Sequence, residues 1–163
     1  MIPGADRPRM PGYGVLAADE GAGLLPWSWA AERLARSHDY WVATRWPDGR
    51  PHLSPVWGVW RGGALEWSCS ARSRKALNLA ADPRCSAATA DPDEPVVVDG
   101  TVEAITARDE LEAFTAAADE KYGGRYGAVA LDPATTAFRL RPATVIALQE
   151  ADFTGTPTRW RFD

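Results

Sequence analysis

The segment Ser68-Cys69-Ser70-Ala71-Arg72-Ser73-Arg74-Lys75 gathers three hydroxyls, a thiol and three cations within eight residues. It runs from a strand-like stretch into a helix-like one. Backbone N–H groups at a helix start have no intrahelical acceptor and carry partial positive charge, so they attract phosphate. Arg grips a phosphate through two parallel hydrogen bonds, and Lys adds a compact point charge. Cations at a helix start also oppose the helix macrodipole, by a few tenths to about 1 kcal/mol. The pattern therefore reads either as an anion site or as a solvated basic face, since short basic clusters are common on surfaces.

The neighbouring elements must position this run. Tyr40 to Trp46 is β-branched and aromatic, hence a strand. Asp48-Gly49 supplies the positive φ angles of a tight turn, and a long strand follows, roughly His52 to Trp60. Gly62-Gly63 turns the chain again, and Ala64 to Ser70 returns as the third strand of an antiparallel meander. The short helix after it is capped by Ser70 or Ser73, buries Leu77 with Ala80 or Ala81, and ends at Asp82-Pro83. Cys85 to Ala90 and Val96 to Ile105 read as strands, the second with a bulge or kink at Asp99-Gly100. The clearest helix covers 107–122: Thr106 and Asp109 resemble a capping box, and Leu111, Phe114, Ala118 and Tyr122 share a face. Gly123-Gly124 stops it. Thr136 to Leu140 and Thr144 to Leu148 are predicted as two strands parted by Arg141-Pro142, and Thr158 to Phe162 as strand or tail. Pro26 opens a further helix, with Trp27, Ala31, Leu34 and Ala35 on one face.

The sum is a mainly β chain with flanking helices: six or seven mostly antiparallel strands, about three helices, and a small closed or partly open barrel. Residues 1–25 are rich in Gly and Pro and read as an N-terminal arm, and 26–163 as one domain. A length of 163 residues suits a single core. No apolar run approaches the roughly 18–20 residues that span a bilayer, and Met1 to Gly14 lacks the layout of a secretory signal, so a soluble cytoplasmic protein is expected. The net charge of −4 argues against nucleic acid as the main partner. Two cysteines, Cys69 and Cys85, make no disulfide framework, and with only His38 and His52 no zinc-site spacing appears. Eight tryptophans suit a core, an interface or a flat-ligand pocket, and Trp41, Trp57 and Trp67 are candidates for the barrel core. Glu66 and Glu103 are expected to face water from their strands, and His52 to be a surface or hydrogen-bonded residue.

An ordered series of segments carries a resemblance. Asp48-Gly49-Arg50-Pro51-His52, Pro55-Val56-Trp57-Gly58-Val59-Trp60, Ser73-Arg74-Lys75-Ala76, Asn78 and Asp82-Pro83-Arg84 together resemble the pyridoxamine 5'-phosphate oxidase-like, FMN-binding split-barrel superfamily. The match runs from about residue 27 to residue 150. Within the superfamily the chain is similar to the actinobacterial flavin/deazaflavin oxidoreductases, a placement that the Trp-rich strands and the ending Thr158-Arg159-Trp160-Arg161-Phe162 support.

The resemblance implies an oxidoreductase whose bound coenzyme F420 or FMN, F420 being favoured by the branch, carries the chemistry, so no catalytic side chain is assigned. It implies that Arg74 and Lys75, with Ser73, hold the cofactor phosphate. Ser68, Cys69 and Ser70 would line the phosphate and ribityl chain, and Ser54, Val56 and Trp57 the ring system. Arg72, with Arg45 and Arg50, would meet an acidic tail. It further implies a homodimer with cofactor sites at the interface, completed by Trp160. Ser54 and Val59 stand where pyridoxamine phosphate oxidases proper carry Arg and Lys, and the Arg-rich ending of those enzymes is missing, so activity on that substrate is not implied. The alternatives are an FMN-dependent pyridoxamine 5'-phosphate oxidase-like protein, or a split barrel that holds flavin, deazaflavin or haem without turnover.

Overall fold

The computed structural model describes residues 3–126 and 131–162. Among them the elements run β1 (Gly4–Asp6), α1 (Trp27–Arg36), β2 (Asp39–Arg45), β3 (Pro51–Arg61), β4 (Ala64–Ser70), α2 (Arg74–Ala81), β5 (Arg84–Thr89), β6 (Val96–Ile105), α3 (Arg108–Lys121), β7 (Thr135–Ala147) and β8 (Thr158–Arg161). The strands from β2 to β7 close a six-stranded antiparallel barrel in the order β7-β4-β3-β2-β5-β6, with β6 returning to β7. The long β7 also carries β8, and β8 carries β1. The segment expected to be an arm thus adds an edge strand. Arg7 fastens it by donating to the carbonyls of Gly155 (2.6 Å) and Pro157 (2.7 Å). No helix among the described residues is long and apolar enough to cross a membrane.

Strand alternation sends one set of side chains inward. Tyr40 and Val42, Val56, Leu65 and Trp67, Ala87, Val98 and Leu140 fill the barrel. Ala30 and Leu34 of α1 and Ala76 and Leu79 of α2 join the same core. A second apolar cluster lies outside the barrel, where Phe114, Ala118 and Tyr122 pack on Val59, Ile105 and Ala137. The face predicted for α3 is the one it buries, although Ala107 takes the N-cap position with no side-chain cap bond. The two strands expected around Arg141-Pro142 are one strand, β7. Pro142 is tolerated because it sits opposite the bulge at Asp99/Gly100, where the ladder already slips. Gly100 is required there, since a Cβ would collide with the Arg141 carbonyl.

Three burial expectations change. Leu77 is 46% exposed, and α2 instead buries Ala76, Asn78 and Leu79. This short helix lies on the barrel end, where the Asn78 amide donates to Thr44 Oγ1 at 3.0 Å. Trp67 is core, whereas Trp41 and Trp57 point outward at 44% and 40% exposure. Glu66 points outward as expected but is only 1% exposed. It is flanked by Arg61 (2.5 Å) and Arg139 (2.6 Å), and Arg139 continues to Glu110 of α3 (2.9 Å). A carboxylate at such a site must be paired, because its desolvation is otherwise uncompensated.

Glu66→Ala leaves two arginines short of a partner in that layer. Breaking a buried pair costs about 3–5 kcal/mol, and the low end is expected because Arg139 keeps Glu110. Urea unfolding of Glu66→Ala beside Glu66→Gln measures this; equal stability of Glu66→Ala and wild type would show that the network contributes nothing net.

Candidate functional site

β3 changes neighbours midway. Its residues 51–57 pair with β2, and its residues 58–61 pair with β4. The β3–β4 ladder stops at Gly58↔Trp67, yet β4 continues to Ser70 against β7. The two strands therefore part, and a cleft of about 400 Å³ opens between them. Pro55, Val56 and Trp57 line one lip, Ser68 and Cys69 the other, with Lys75, Arg125 and Tyr126 around them. The volume falls within the roughly 300–1,000 Å³ of sites that hold small molecules and cofactors. Both lips are strand edges with no ladder partner across the cleft, so their backbone groups are available to a ligand.

The opposite side of the fork is filled by the end of α3. Tyr122 Oη accepts from the Gly58 N–H (2.7 Å) and lies 2.7 Å from the His38 carbonyl and 2.8 Å from that of Gly58. Lys121 Nζ donates to the carbonyls of Ser37 (2.6 Å) and Gly58 (2.7 Å) and to Tyr40 Oη (3.2 Å). Gly58 itself has no room for a side chain, since a Cβ would sit 2.9 Å from the Glu66 carbonyl oxygen and against Leu65 and Tyr40. The Tyr122 ring stacks on Trp57 at 4.7 Å and 12°, and on Tyr126 at 6.1 Å and 23°.

At the far end of the cleft α2 begins. Ser73 takes its N-cap, accepts from the Ala76 N–H at 3.4 Å and donates to Cys69 Sγ at 3.3 Å. Burial pushes the Cys69 thiol up, against smaller opposite effects of the Ser73 bond and Lys75. The predicted basic run does not point one way. Lys75 reaches the cleft, Arg72 is exposed, and the Arg74 guanidinium lies 3.7 Å over the ring of Trp46. Elsewhere arginines meet carboxylates: Arg33 meets Glu94, Arg45 and Arg84 share Asp82, and Arg159 meets Asp6. Among the described residues, Arg72, Arg74, Lys75 and Arg125 form no ion pair. Three other cations share that status: Arg7 and Lys121 are bound to carbonyls, and Arg9 lies in the N-terminal segment. Unpaired positive charge therefore gathers around α2 and the cleft.

Of the predicted residues, Val56, Trp57, Ser68, Cys69 and Lys75 meet in one cavity. Ser54 stands just before it on β3, its hydroxyl buried without a hydrogen-bond partner among the described residues. The Ser70 hydroxyl accepts from the Arg72 N–H at 3.3 Å. Trp160 is not at the cleft: it is 1% exposed in the core, edge-on to Trp27 at 5.5 Å. Its strand β8 pairs with the end of β7 away from β4, and alternation turns the ring inward. Arg45 and Arg50 are held by Asp82 and Asp48. Pro55, Tyr122, Arg125 and Tyr126 were not foreseen. Two tyrosines four apart astride Gly123-Gly124 were the available signal, but helical spacing does not say what lies beneath that face. The Tyr126 and Ser68 hydroxyls are hydrogen-bonded to each other at the cleft wall.

The chain is a split six-stranded antiparallel barrel whose cleft, with Trp57 and Tyr126 in its lining, opens beside a basic helix start. Residues 30–149 match the family model of pyridoxamine 5'-phosphate oxidase, and the chain belongs to that family. No match was found among curated protein sequences. Solved structures share the fold. A conserved hypothetical protein of Mycobacterium tuberculosis is 22% identical over 88% of this chain and 91% of its own, with a TM-score of 0.69. An F420 reductase is 25% identical over 70% of this chain and 93% of its own, with a TM-score of 0.56. HutZ, a haem storage protein of Vibrio cholerae, is 21% identical over 68% of this chain and 85% of its own, with a TM-score of 0.61.

Burial pushes the Lys121 ammonium down to about 8, with Asp39 opposing the shift. The unfolded chain then holds this proton more tightly than the folded one, so between about pH 8 and the ordinary Lys value of about 10.4 stability contributed by Lys121 rises with pH. Urea unfolding at about pH 7 and about pH 9.5 is expected to show wild type gaining on Lys121→Met at the higher pH. A constant difference would put the Lys121 pKa at its ordinary value.

Proposed function

We propose that this chain is an oxidoreductase that binds F420 or FMN in the cleft between β3 and β4. The observation that carries the reading is the placement of unpaired cations around a cleft with an aromatic wall. Lys75 anchors the phosphate, aided by the backbone N–H groups at the start of α2, whose Ser73 cap leaves them oriented. Trp57 forms the flat wall for the ring system. The edge of β3 along Pro55 to Trp57 offers backbone hydrogen bonds to polar ring atoms. When bound, such a cofactor supplies hydride transfer. The residues of this chain supply orientation and hydrogen bonds at the cleft wall. Burial pushes the Tyr126 hydroxyl up, against smaller opposite effects of Ser68, so it keeps its proton at neutral pH and donates hydrogen bonds at the wall.

Two features favour F420 over FMN. Arg72 and Arg125 add positive charge beyond what one phosphate neutralises, which suits a ligand with an acidic tail. The similarity to an F420 reductase points the same way. Activity on pyridoxamine phosphate is not part of the reading, since Ser54 carries no charge and Val59 is buried under α3.

The reading includes a homodimer. Trp41, Leu53, Pro55 and Trp57 lie on one outward face, because the register sets Trp41 against Pro55, Ala43 against Leu53 and Asp39 against Trp57. An apolar strip of that kind beside a ligand cleft supports burial by a second copy, which would also shield the ring. Leu53 is 61% exposed, so Leu53→Lys leaves the fold alone. Sedimentation is expected to show a dimer for wild type and monomer for Leu53→Lys; a monomeric wild type would remove the dimer.

Cofactor binding is tested by titrating the protein with F420 and with FMN while following tryptophan fluorescence. Quenching by F420 is expected at about micromolar concentration. Lys75→Ala is expected to weaken it about tenfold or more, because charge-assisted phosphate bonds contribute roughly 1.5–3 kcal/mol. Quenching by neither compound would overturn the reading.

A further inference from the structure

We infer that Tyr122 is a positioning residue for the cofactor site: it sets the fork in the barrel through its hydroxyl and the plane of the ring-binding wall through its aromatic face. The inference rests on the cofactor reading above and concerns a residue outside the Ser-Arg-Lys run.

The fork needs such a residue. Once β3 leaves β2 at the Asp39↔Trp57 pair, the Gly58 N–H and C=O on that side have no strand to meet. Buried backbone groups left without partners are costly, so they must be met by something. Tyr122 Oη accepts from the N–H at 2.7 Å, and its one proton lies between the Gly58 carbonyl at 2.8 Å and the His38 carbonyl, just before β2, at 2.7 Å. One hydroxyl thus bridges the two strands at the point where they separate. Lys121 reinforces the same carbonyl from the neighbouring position.

The ring of Tyr122 does a second job. It lies nearly parallel to Trp57, whose other surroundings leave it 40% exposed. His38 closes the arrangement edge-on, at 5.2 Å from Tyr122 and 6.1 Å from Trp57. Tyr122 also backs Tyr126, the opposing element of the cleft lining. Both aromatic walls of the cleft therefore lean on one buried residue that does not line the cleft itself. An indole on a strand edge has two free side-chain torsions, and a parallel neighbour held by three backbone contacts fixes them.

The two functions separate by substitution. Tyr122→Phe keeps the ring and removes the hydroxyl; Tyr122→Leu removes both. Affinity for FMN and for riboflavin, which has the ring but no phosphate, is read by fluorescence titration for wild type and each variant. F420 is titrated in parallel. Stacking of this kind is worth about two- to tenfold, and the hydroxyl a further factor of about threefold to tenfold. Tyr122→Leu is expected to weaken FMN and riboflavin by the same factor, whereas Lys75→Ala weakens FMN alone. The visible circular dichroism of bound FMN is expected to change in Tyr122→Leu and to stay near wild type in Tyr122→Phe. In the ligand-free protein the Trp57 indole N–H resonance, assigned with Trp57→Phe, is expected to move in Tyr122→Leu. Thermal melts identify a variant that has lost its fold, in which case Tyr122→Phe alone carries the comparison. Wild-type affinity, dichroism and Trp57 resonance in the variants would overturn the positioning role while leaving the cofactor reading intact. Failure of the wild type to bind any of the three compounds would overturn both.

Discussion

The exchange of partners by β3 at Gly58 is the constraint on which the rest of the molecule depends. A strand in a closed barrel normally spends both edges on its neighbours. Here β3 gives its first half to β2 and its second half to β4, which leaves one unpaired edge on each side of the exchange. On the β2 side the end of α3 replaces the missing strand with side-chain groups from Lys121 and Tyr122. On the β4 side no element among the described residues intervenes, and that asymmetry is the cleft. Had α3 been a turn shorter, both edges would face solvent and the barrel would have two weak seams. The helix therefore determines which seam is sealed and which is left open.

The same helix explains the ionic layer. By packing on Val59, Ile105 and Ala137, α3 brings Glu110 to the Arg139 that pairs with Glu66, and burial forces a pair of arginines onto that carboxylate. The network consumes Arg61 and Arg139 and passes charge to Glu103 and Glu110. Comparable pairings consume the surface arginines near Asp82, Asp6 and Glu94. Against this background the start of α2 keeps Arg74 and Lys75 outside any ion pair among the described residues. A helix start with unpaired Arg and Lys opposes its own dipole, a cost that persists only where an anion offsets it or water screens it. The adjoining cavity supplies a reason for the first of these.

Much of the fold was legible because it rests on local rules. Asp48-Gly49 and Gly62-Gly63 mark the turns of the meander, and the spacing of Phe114, Ala118 and Tyr122 marks the buried face of α3. The Asp99-Gly100 bulge was legible too, since Gly inside a strand pattern has few other uses. What was not legible depends on tertiary neighbours. Alternation assigns Glu66 to the outer face correctly, but it cannot say that a helix forty residues on will bring Glu110 to its partner Arg139. Arg141-Pro142 reads as a break because the compensating bulge lies on another strand. Trp160 was read toward a ligand when the core claims it, for a Trp at a chain end carries no mark of direction.

The Ser-Arg-Lys run shows why a motif in sequence is not yet a site. Consecutive residues on a helix point about 100° apart, so three neighbours cannot all face one ligand. Ser73 turns back to cap the helix and touch Cys69. Arg74 lies on Trp46, which also carries Arg50 at 4.5 Å, and so joins α2 to the β2–β3 hairpin. Lys75 alone reaches the cleft lining. The cation–π contact is worth about 0.5–2 kcal/mol, comparable to what a phosphate bond would return, so Arg74 can leave the ring for a ligand without large cost. On the proposed reading, a helix start with one cation in the cleft and a second on a nearby aromatic rest would suit a ligand that is sometimes absent. Its charge is available when an anion arrives, and partly satisfied when none does.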